Sequence, residues 1–597
     1  MLSCMFFTGK KVLLLFSKQK LYEGENLRDF RELVERYHTR YAQKTAFRFK
    51  LSPKDTQIQS ISYEDFYQDI RVLGTALLSL GLSKKRIAII SPNRYEWCSS
   101  YLAITTSGIV VVPFDKALPE NELLQLLERS KVDGIFFDHK YLSMFTSLDL
   151  PKDLPLQHLI CMDDLSEEEK QSLSRFTVST YAELIQKGKE EQVQGNTQYD
   201  EVTIGPDEMA IMIFTSGTTS ISKAVMLSQA NICADIYALS QMAKVTKEDT
   251  FLSFLPLHHT FESSCTFLYG TSCGITIAFC DGIRYAAQNL KEYQVTGFVC
   301  VPLMLEAIYK KITKKIEEQG KTGLIRFARG LSRFLLFFHI DVRRKLFRPI
   351  LDQLGGKLRI LIAGGAPMNP EVIDGYLSFG INLLQGYGLT ETSPVLAGEN
   401  DKYKRLGSVG FPLPGIEIAV DNPDADGVGE LKAKGPTVML GYYENEEATQ
   451  NALRDGWFYT GDLGYIDKDG YVFITGRKKD VIVLKNGKNI YPEELEILIN
   501  QLPFVEESFV FGQKQEDDYK LYAEIVYSEE NLQKEKPNLK PEEYEAFTWS
   551  EVKEKVNHTI PSYKAIRKIF ITQEPLIKTT TQKIKRHEEL AKVQEWF

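Results

Sequence analysis

Short apolar runs that stop abruptly at glycine, serine, proline or asparagine recur along this chain, with helical patterns between them. Arg86-Ile87-Ala88-Ile89-Ile90 ends at Ser91-Pro92-Asn93, and Ile109-Val110-Val111-Val112-Pro113 follows. Met209-Ala210-Ile211-Met212-Ile213-Phe214 runs into a Ser/Gly/Thr cluster. Leu358-Arg359-Ile360-Leu361-Ile362 breaks at Gly364-Gly365, and Ile381-Asn382-Leu383-Leu384 ends at Gly386. Continuous rather than alternating apolar runs suit strands covered on both faces. Strands separated by helices suit a largely parallel sheet. The chain reads as α/β, with β-sheets covered by helices.

Its 597 residues exceed one hydrophobic core, which stops growing at about 250–300 residues. A leader over residues 1–25 is expected to be poorly ordered, a body spans 26–476, and a small mobile α+β lid spans 477–597. In the lid, strands are expected near 508–512 and 520–527, and helices near 492–500 and 542–558. Asn369 and Pro370 mark a helix start in the body. The polar stretch 187–206 and the charged stretch 528–543 read as loops. No internal repeat is visible.

Several function classes fall away. A formal net charge of -8 argues against nucleic-acid binding, which needs a strong positive field. The eight cysteines show no C-x-x-C spacing, so they read as reduced thiols of a cytoplasmic protein rather than disulfides or a zinc site. Lys10-Lys11 precede a short apolar run, Val12 to Phe16, but no cleavage-site pattern follows. No stretch approaches the roughly 20 apolar residues of a spanning helix.

The chemistry gathers in a few motifs. Phe214-Thr215-Ser216-Gly217-Thr218-Thr219-Ser220-Ile221-Ser222-Lys223 carries a strand into hydroxyls, a glycine and a lysine. Backbone N–H groups and hydroxyls in such a loop form an anion cradle, and lysine adds a point charge for phosphate. Taken alone, the stretch could equally be a surface turn. Gln385-Gly386-Tyr387-Gly388-Leu389-Thr390-Glu391-Thr392 offers an aromatic face, a hydroxyl and a hard oxygen ligand. Tyr459-Thr460-Gly461-Asp462 sets a carboxylate on a tight turn, and Gly476-Arg477-Lys478-Lys479-Asp480 adds a permanent cation. Lys578-Thr579-Thr580-Thr581-Gln582-Lys583-Ile584-Lys585-Arg586 is basic and rich in hydroxyls.

In this order, the set resembles the adenylate-forming superfamily over nearly the whole chain, from about residue 28 to 590. Within it, the chain resembles bacterial long-chain fatty-acid–CoA ligases. Supporting stretches are Ser91 to Trp97, Leu255-Pro256-Leu257-His258-His259-Thr260-Phe261-Glu262, and Gly364-Gly365-Ala366-Pro367. The resemblance implies ATP-dependent activation of a fatty acid through an acyl-adenylate, then transfer to the thiol of CoA. It implies that Thr215, Ser216, Gly217, Thr218, Thr219 and Lys223 hold phosphates, and that Thr215 and Glu391 approach Mg2+. It also implies that Gly365, Ala366, Tyr387, Gly388 and Thr390 frame the nucleotide, and that Asp462 and Arg477 grip the ribose. Lys479 would be the hinge, Lys583 the catalytic lysine, and His259 and Phe261 the mouth of the acyl pocket.

The chain departs from the family pattern at Ser220, Ser222 and Ala224, where Gly, Pro and Gly are usual. Gln229 replaces a common histidine, and Gln582 a common glycine. Losing glycines should stiffen the phosphate loop. One alternative is an acceptor thiol on acyl carrier protein. Another, of a different class, is a non-catalytic acyl- or nucleotide-binding regulator. The basic, amphipathic segment 306–349 could meet a membrane surface or an acidic carrier protein. The preferred expectation is a surface helix pair packing its apolar face on the body.

Overall fold

The computed structural model describes residues 20–147, 151, 154–215, 222–485, 488–515, 518–579 and 583–595. Ser216, Gly217, Thr218 and Thr219, with Ser220 and Gln582, lie outside the described residues. So do residues 1–19 of the expected leader. Its last residues are tied to the body: Leu21 donates its N–H to the Gln241 carbonyl at 2.9 Å, and the Tyr22 hydroxyl donates to Asp401 at 2.8 Å.

The apolar runs form two large sheets. In the first, Thr177–Thr180, His158–Cys161, Gly134–Phe137, Arg86–Ile90, Val110–Pro113 and Met209–Thr215 lie parallel, in that spatial order. Lys223–Ser228 and Gly441–Tyr442 close it antiparallel. The second sheet sets Thr45–Phe49, Thr276–Phe279, Thr250–Ser253, Gly297–Cys300, Ile360–Gly364 and Asn382–Gly388 in parallel. Helices cover these strands, as their two-sided burial requires. Helix Tyr63–Ser79 is fixed at its start by a Ser62–Asp65 capping box and buries Phe66, Ile70, Leu73 and Leu77. A smaller antiparallel sheet contains Gly429–Lys434, Trp457–Ile466 and Val472–Arg477.

The C-terminal domain has its own core, built from residues such as Ile499, Phe504, Ile525, Val552 and Ile569. Strands Val505–Gln515, Asp518–Tyr527 and Ile566–Thr572 pack with helices Pro492–Ile499 and Tyr544–Glu551. No described helix is long and apolar enough to cross a membrane.

Two expected loops are helices. Within 187–206, the structure shows helix Tyr181–Val193 and a short helix, Gln198–Glu201. Thr180 caps the first, accepting from the Glu183 N–H, while the Glu183 carboxylate accepts from the Thr180 N–H. The polar residues face solvent, while Leu184 and Gly188 are buried. Within 528–543, Ser528 caps helix Glu529–Glu535, which has Glu529 and Glu530 in its first turn. In both cases polarity marked an outer helical face. Asn369 does cap helix Pro370–Ser378, accepting from the Glu371 N–H at 2.9 Å.

Gly188 lets its helix lie directly on helix Tyr63–Ser79. A Cβ there would stand 2.0 Å from the Val72 carbonyl oxygen. Alanine should add about 1 kcal/mol of helix propensity, but forcing backbone apart costs about 1–3 kcal/mol. We expect Gly188→Ala to lower the first melting transition, as read by calorimetry. A raised transition would show that the helices can part at little cost.

Candidate active site

Three pieces of the chain converge on one buried carboxylate. Tyr387 comes from the last parallel strand of the second large sheet, Asn382–Gly388. Asp462 and Arg477 are directly opposed partners on neighbouring strands of the small sheet. The Tyr387 hydroxyl donates to Asp462 Oδ2 at 2.6 Å, and Arg477 Nε lies 2.8 Å from Asp462 Oδ1. Thr460 receives the Asp462 N–H at 3.0 Å and fixes the turn. Burial raises the Asp462 carboxyl pKa, while Arg477, Tyr387 and Lys583 pull it back.

Beside this group the backbone is bare. Gly365 adopts φ +87°, and Gly365 and Ala366 are exposed. The ring of Phe261 lies where a Cβ on Gly364 would stand 2.9 Å from it. At Gly388 a Cβ would meet the Pro394 carbonyl at 1.8 Å, so only glycine lets the backbone here lie against Pro394. Thr390 begins the short helical turn that carries Glu391.

The edges of the Ser/Gly/Thr loop are well defined. Thr215 and Lys223 face each other in register on antiparallel strands. The Lys223 ammonium lies 4.7 Å from the Tyr442 ring centre, and the Tyr442 hydroxyl donates to Glu391 Oε1 at 2.9 Å. Tyr442 thus joins two candidates that lie far apart in sequence. Arg129 grips the loop's end, donating to the Ser222 carbonyl at 2.6 Å and to its hydroxyl at 3.2 Å. Its guanidinium also lies 5.2 Å from the ring centre of Phe214, where the loop begins. The serine found in place of proline therefore adds a contact to this clamp.

Lys583 arrives from the C-terminal domain. It lies in the cleft between the domains, where its side chain keeps contact with solvent. Its Cε is 3.4 Å from the place a Cβ on Gly365 would take. The crowding of the cleft lowers its pKa, as does Arg477, while Asp462 and Glu391 oppose the shift. Its backbone closes a hairpin with Thr579 at 2.8 Å, and Lys578 pairs with Ile584. Arg586 anchors the hairpin: its guanidinium reaches both oxygens of Glu496, at 2.8 and 3.0 Å, and the Val510 carbonyl at 3.1 Å. Lys578 adds an ion pair with Glu507.

Lys479 is exposed between two anchored neighbours. Lys478 pairs with Glu430 of the body at 2.7 Å. Asp480 lies 3.8 Å from Arg586 of the C-terminal domain.

His259 stacks obliquely on His258, with ring centres 4.1 Å apart, and His258 Nε2 lies 3.5 Å from Asp115. Burial, His258 and Lys583 hold the His259 pKa well below the ordinary value. Glu262, one helical turn on, is fully buried, accepts from the Thr266 hydroxyl at 3.1 Å and has its carboxyl pKa pushed up to about 8 by burial. Sequence reasoning gave no role to Tyr442, Arg129, Arg586 or Glu262. Glu262 and Arg586 lay inside motifs that it singled out, without a role of their own; Tyr442 and Arg129 lay outside them.

The family model of AMP-binding enzymes matches residues 34–443, and that of the AMP-binding enzyme C-terminal domain matches 479–595. The chloroplastic long-chain-fatty-acid–acyl-carrier-protein ligase AEE15 of Arabidopsis thaliana is 29% identical, over 89% of this chain and 80% of that protein. Fatty acyl-CoA synthetase B of Dictyostelium discoideum is 30% identical, over 76% of this chain and 70% of its own length. The fold is shared with ATP-bound MatB from Rhodopseudomonas palustris: TM-score 0.71 and 21% identity, covering 95% of this chain and 99% of that one.

Burial pushes the Glu262 carboxyl pKa up to about 8 in the fold, whereas an unfolded glutamic acid loses its proton near 4.5. Between those values the unfolded state is favoured as pH rises, by up to about 1.4 kcal/mol per pH unit. Glu262→Gln cannot ionise. Its melting temperature should therefore gain on the parent's between pH 5 and 8.5, as read by thermal scans. A constant difference would show that Glu262 does not titrate in this range.

Proposed function

Because this chain belongs to the AMP-binding enzyme family and is an AMP-forming ligase, we propose that its acid is a long-chain fatty acid and its acceptor thiol is CoA. The observation that carries the reading is the convergence of Lys583 with Asp462, Arg477 and Glu391 in one cleft. A fatty carboxylate attacking the α-phosphate of ATP brings two anions together. Lys583, on that approach, offsets the charge and stabilises the crowded phosphorus centre. Asp462 accepts from the ribose hydroxyls, with Arg477 holding it in place, and Tyr387 and the open backbone at Gly365 and Ala366 face the adenine.

Thr215, Lys223 and the loop between them cradle the β- and γ-phosphates, with Arg129 and Tyr442 bracing its ends. Mg2+ would be held by the hard oxygens of Glu391 and Thr215, and when bound it supplies charge neutralisation to the phosphates. His259, kept neutral by its surroundings, and Phe261 stand at the acyl side.

The second half-reaction needs the acyl-adenylate exposed to a thiol. We place the swivel at Lys479, between a body ending at 476 and a lid over 477–597. The opposed anchors of Lys478 and Asp480 support that place. A swing there withdraws Lys583 and opens the carbonyl to the thiolate, and AMP leaves. The acyl-carrier-protein reading of the acceptor is kept alive by the similarity to AEE15 over 89% of the chain.

Two measurements decide these points. Purified protein is given ATP, Mg2+ and acids of graded length, with CoA and holo carrier protein offered side by side. Long-chain acyl-CoA is the expected product. Acyl carrier protein as the sole acceptor would move the assignment, and absence of fatty-acid-dependent ATP–pyrophosphate exchange would favour a non-catalytic regulator. Separately, Lys583→Ala should cut adenylation by at least about a hundredfold while leaving thioester formation from supplied acyl-AMP near the parent rate. An equal fall in both would remove Lys583 from its assigned step.

A further inference from the structure

The segment 302–349 opens with two long helices of opposite fates, before the short helix Arg343–Leu346. Helix Pro302–Glu318 buries Leu305 and Ile312 in the body. Helix Thr322–Phe337 turns only one narrow face inward: Ser332 is buried, Ile325 and Ala328 pack on the core, and Arg329 bonds the Tyr309 hydroxyl at 2.8 Å. Its main apolar stripe points away from the protein. Leu324, Phe327, Leu331, Phe334 and Phe338 follow each other at alternating spacings of three and four, which places them along one side of the helix. Leu324 is 63% exposed, Phe327 69%, Phe334 61% and the neighbouring Phe337 80%. The packed surface pair expected from sequence is therefore half right. Such a run of exposed large apolar side chains marks an interaction surface.

Charge selects the occupant. Residues 302–349 hold twelve lysines and arginines against four acidic residues, in a chain of net charge -8. From Gln319 to Ile340 there is no acidic residue at all. The three- and four-residue spacing would suit a helix seam with a second copy. Arg333 is paired with Asp374 at 2.6 Å, but that pairing would still set the Arg326 residues of two such helices near each other with no carboxylate on either helix, which disfavours it. An anionic bilayer suits both features: phenylalanines enter the acyl boundary while Arg326, Lys321 and Lys345 meet the headgroups.

We propose that the outward face of helix Thr322–Phe337 docks the protein on an anionic phospholipid surface. This does not depend on which acid or thiol the enzyme uses.

The test uses the full chain with vesicles of phosphatidylglycerol mixed with phosphatidylcholine, and with pure phosphatidylcholine vesicles. Sedimentation should show binding to the anionic vesicles that weakens with salt, and far less to neutral ones. Phe327→Glu with Phe334→Glu should weaken it by at least about a hundredfold. Arg326→Glu with Lys345→Glu should also weaken it, by about tenfold or more. Circular dichroism and ATP–pyrophosphate exchange with a water-soluble acid check that the variants stay folded. The proposal fails if these variants bind vesicles like the parent. It fails equally if the parent ignores vesicles, whether it then self-associates through this face or takes up an acidic carrier protein there.

Discussion

The carboxylate of Asp462 is where the molecule is tied together. It is buried, so its charge must be met by partners held at fixed distances. One partner, Tyr387, ends a strand of the large parallel sheet, and the other, Arg477, ends a strand of the small one. The two sheets are thus locked at the point where the cleft opens. Lys583 from the C-terminal domain enters the field of the same group. The site is therefore a junction, and its geometry depends on all three parts being folded.

Around that junction, support residues do as much as the candidates themselves. Tyr442 links Glu391 to Lys223, and Arg129 braces both ends of the Ser/Gly/Thr loop, at Ser222 and Phe214. Arg586 holds the hairpin of Lys583 through Glu496 and Val510. A reacting group displaced by about 1 Å can lose about a hundredfold in rate, so rigid bracing of this kind is a requirement of the chemistry. The replacement of proline by Ser222 fits the same logic: the loop loses an intrinsic constraint but gains a bond to Arg129.

Much of this was legible in the sequence. Strands such as Arg86–Ile90 and Met209–Thr215 are buried on both faces, so they read as unbroken apolar runs. The cap at Asn369 was visible because capping is local. Helix Tyr181–Val193 was missed because only a narrow face touches the core, and part of that face is Gly188. The candidate residues stood inside recognisable motifs, and the structure brings Tyr387, Glu391, Asp462, Arg477 and Lys583 to one cleft. Their braces could not be read as such, even where one, Arg586, stood inside one of these motifs. Arg129 and Ser222 are 93 residues apart, and Arg586 and Glu496 are 90 apart. A hydrogen bond across such a span leaves no period or spacing to read.

Lys479 stands between a neighbour held by the body and a neighbour held by the C-terminal domain. As the proposed swivel, it would leave only one residue's pair of torsions to travel. Each freely rotating residue would cost about 1–2 kcal/mol of entropy to fix again. A longer tether would have to repay that cost for every residue on every return, and would let the domain wander between returns. With a single joint, the two placements that the proposed swing gives Lys583 would be the ends of an arc, and the way back a short search.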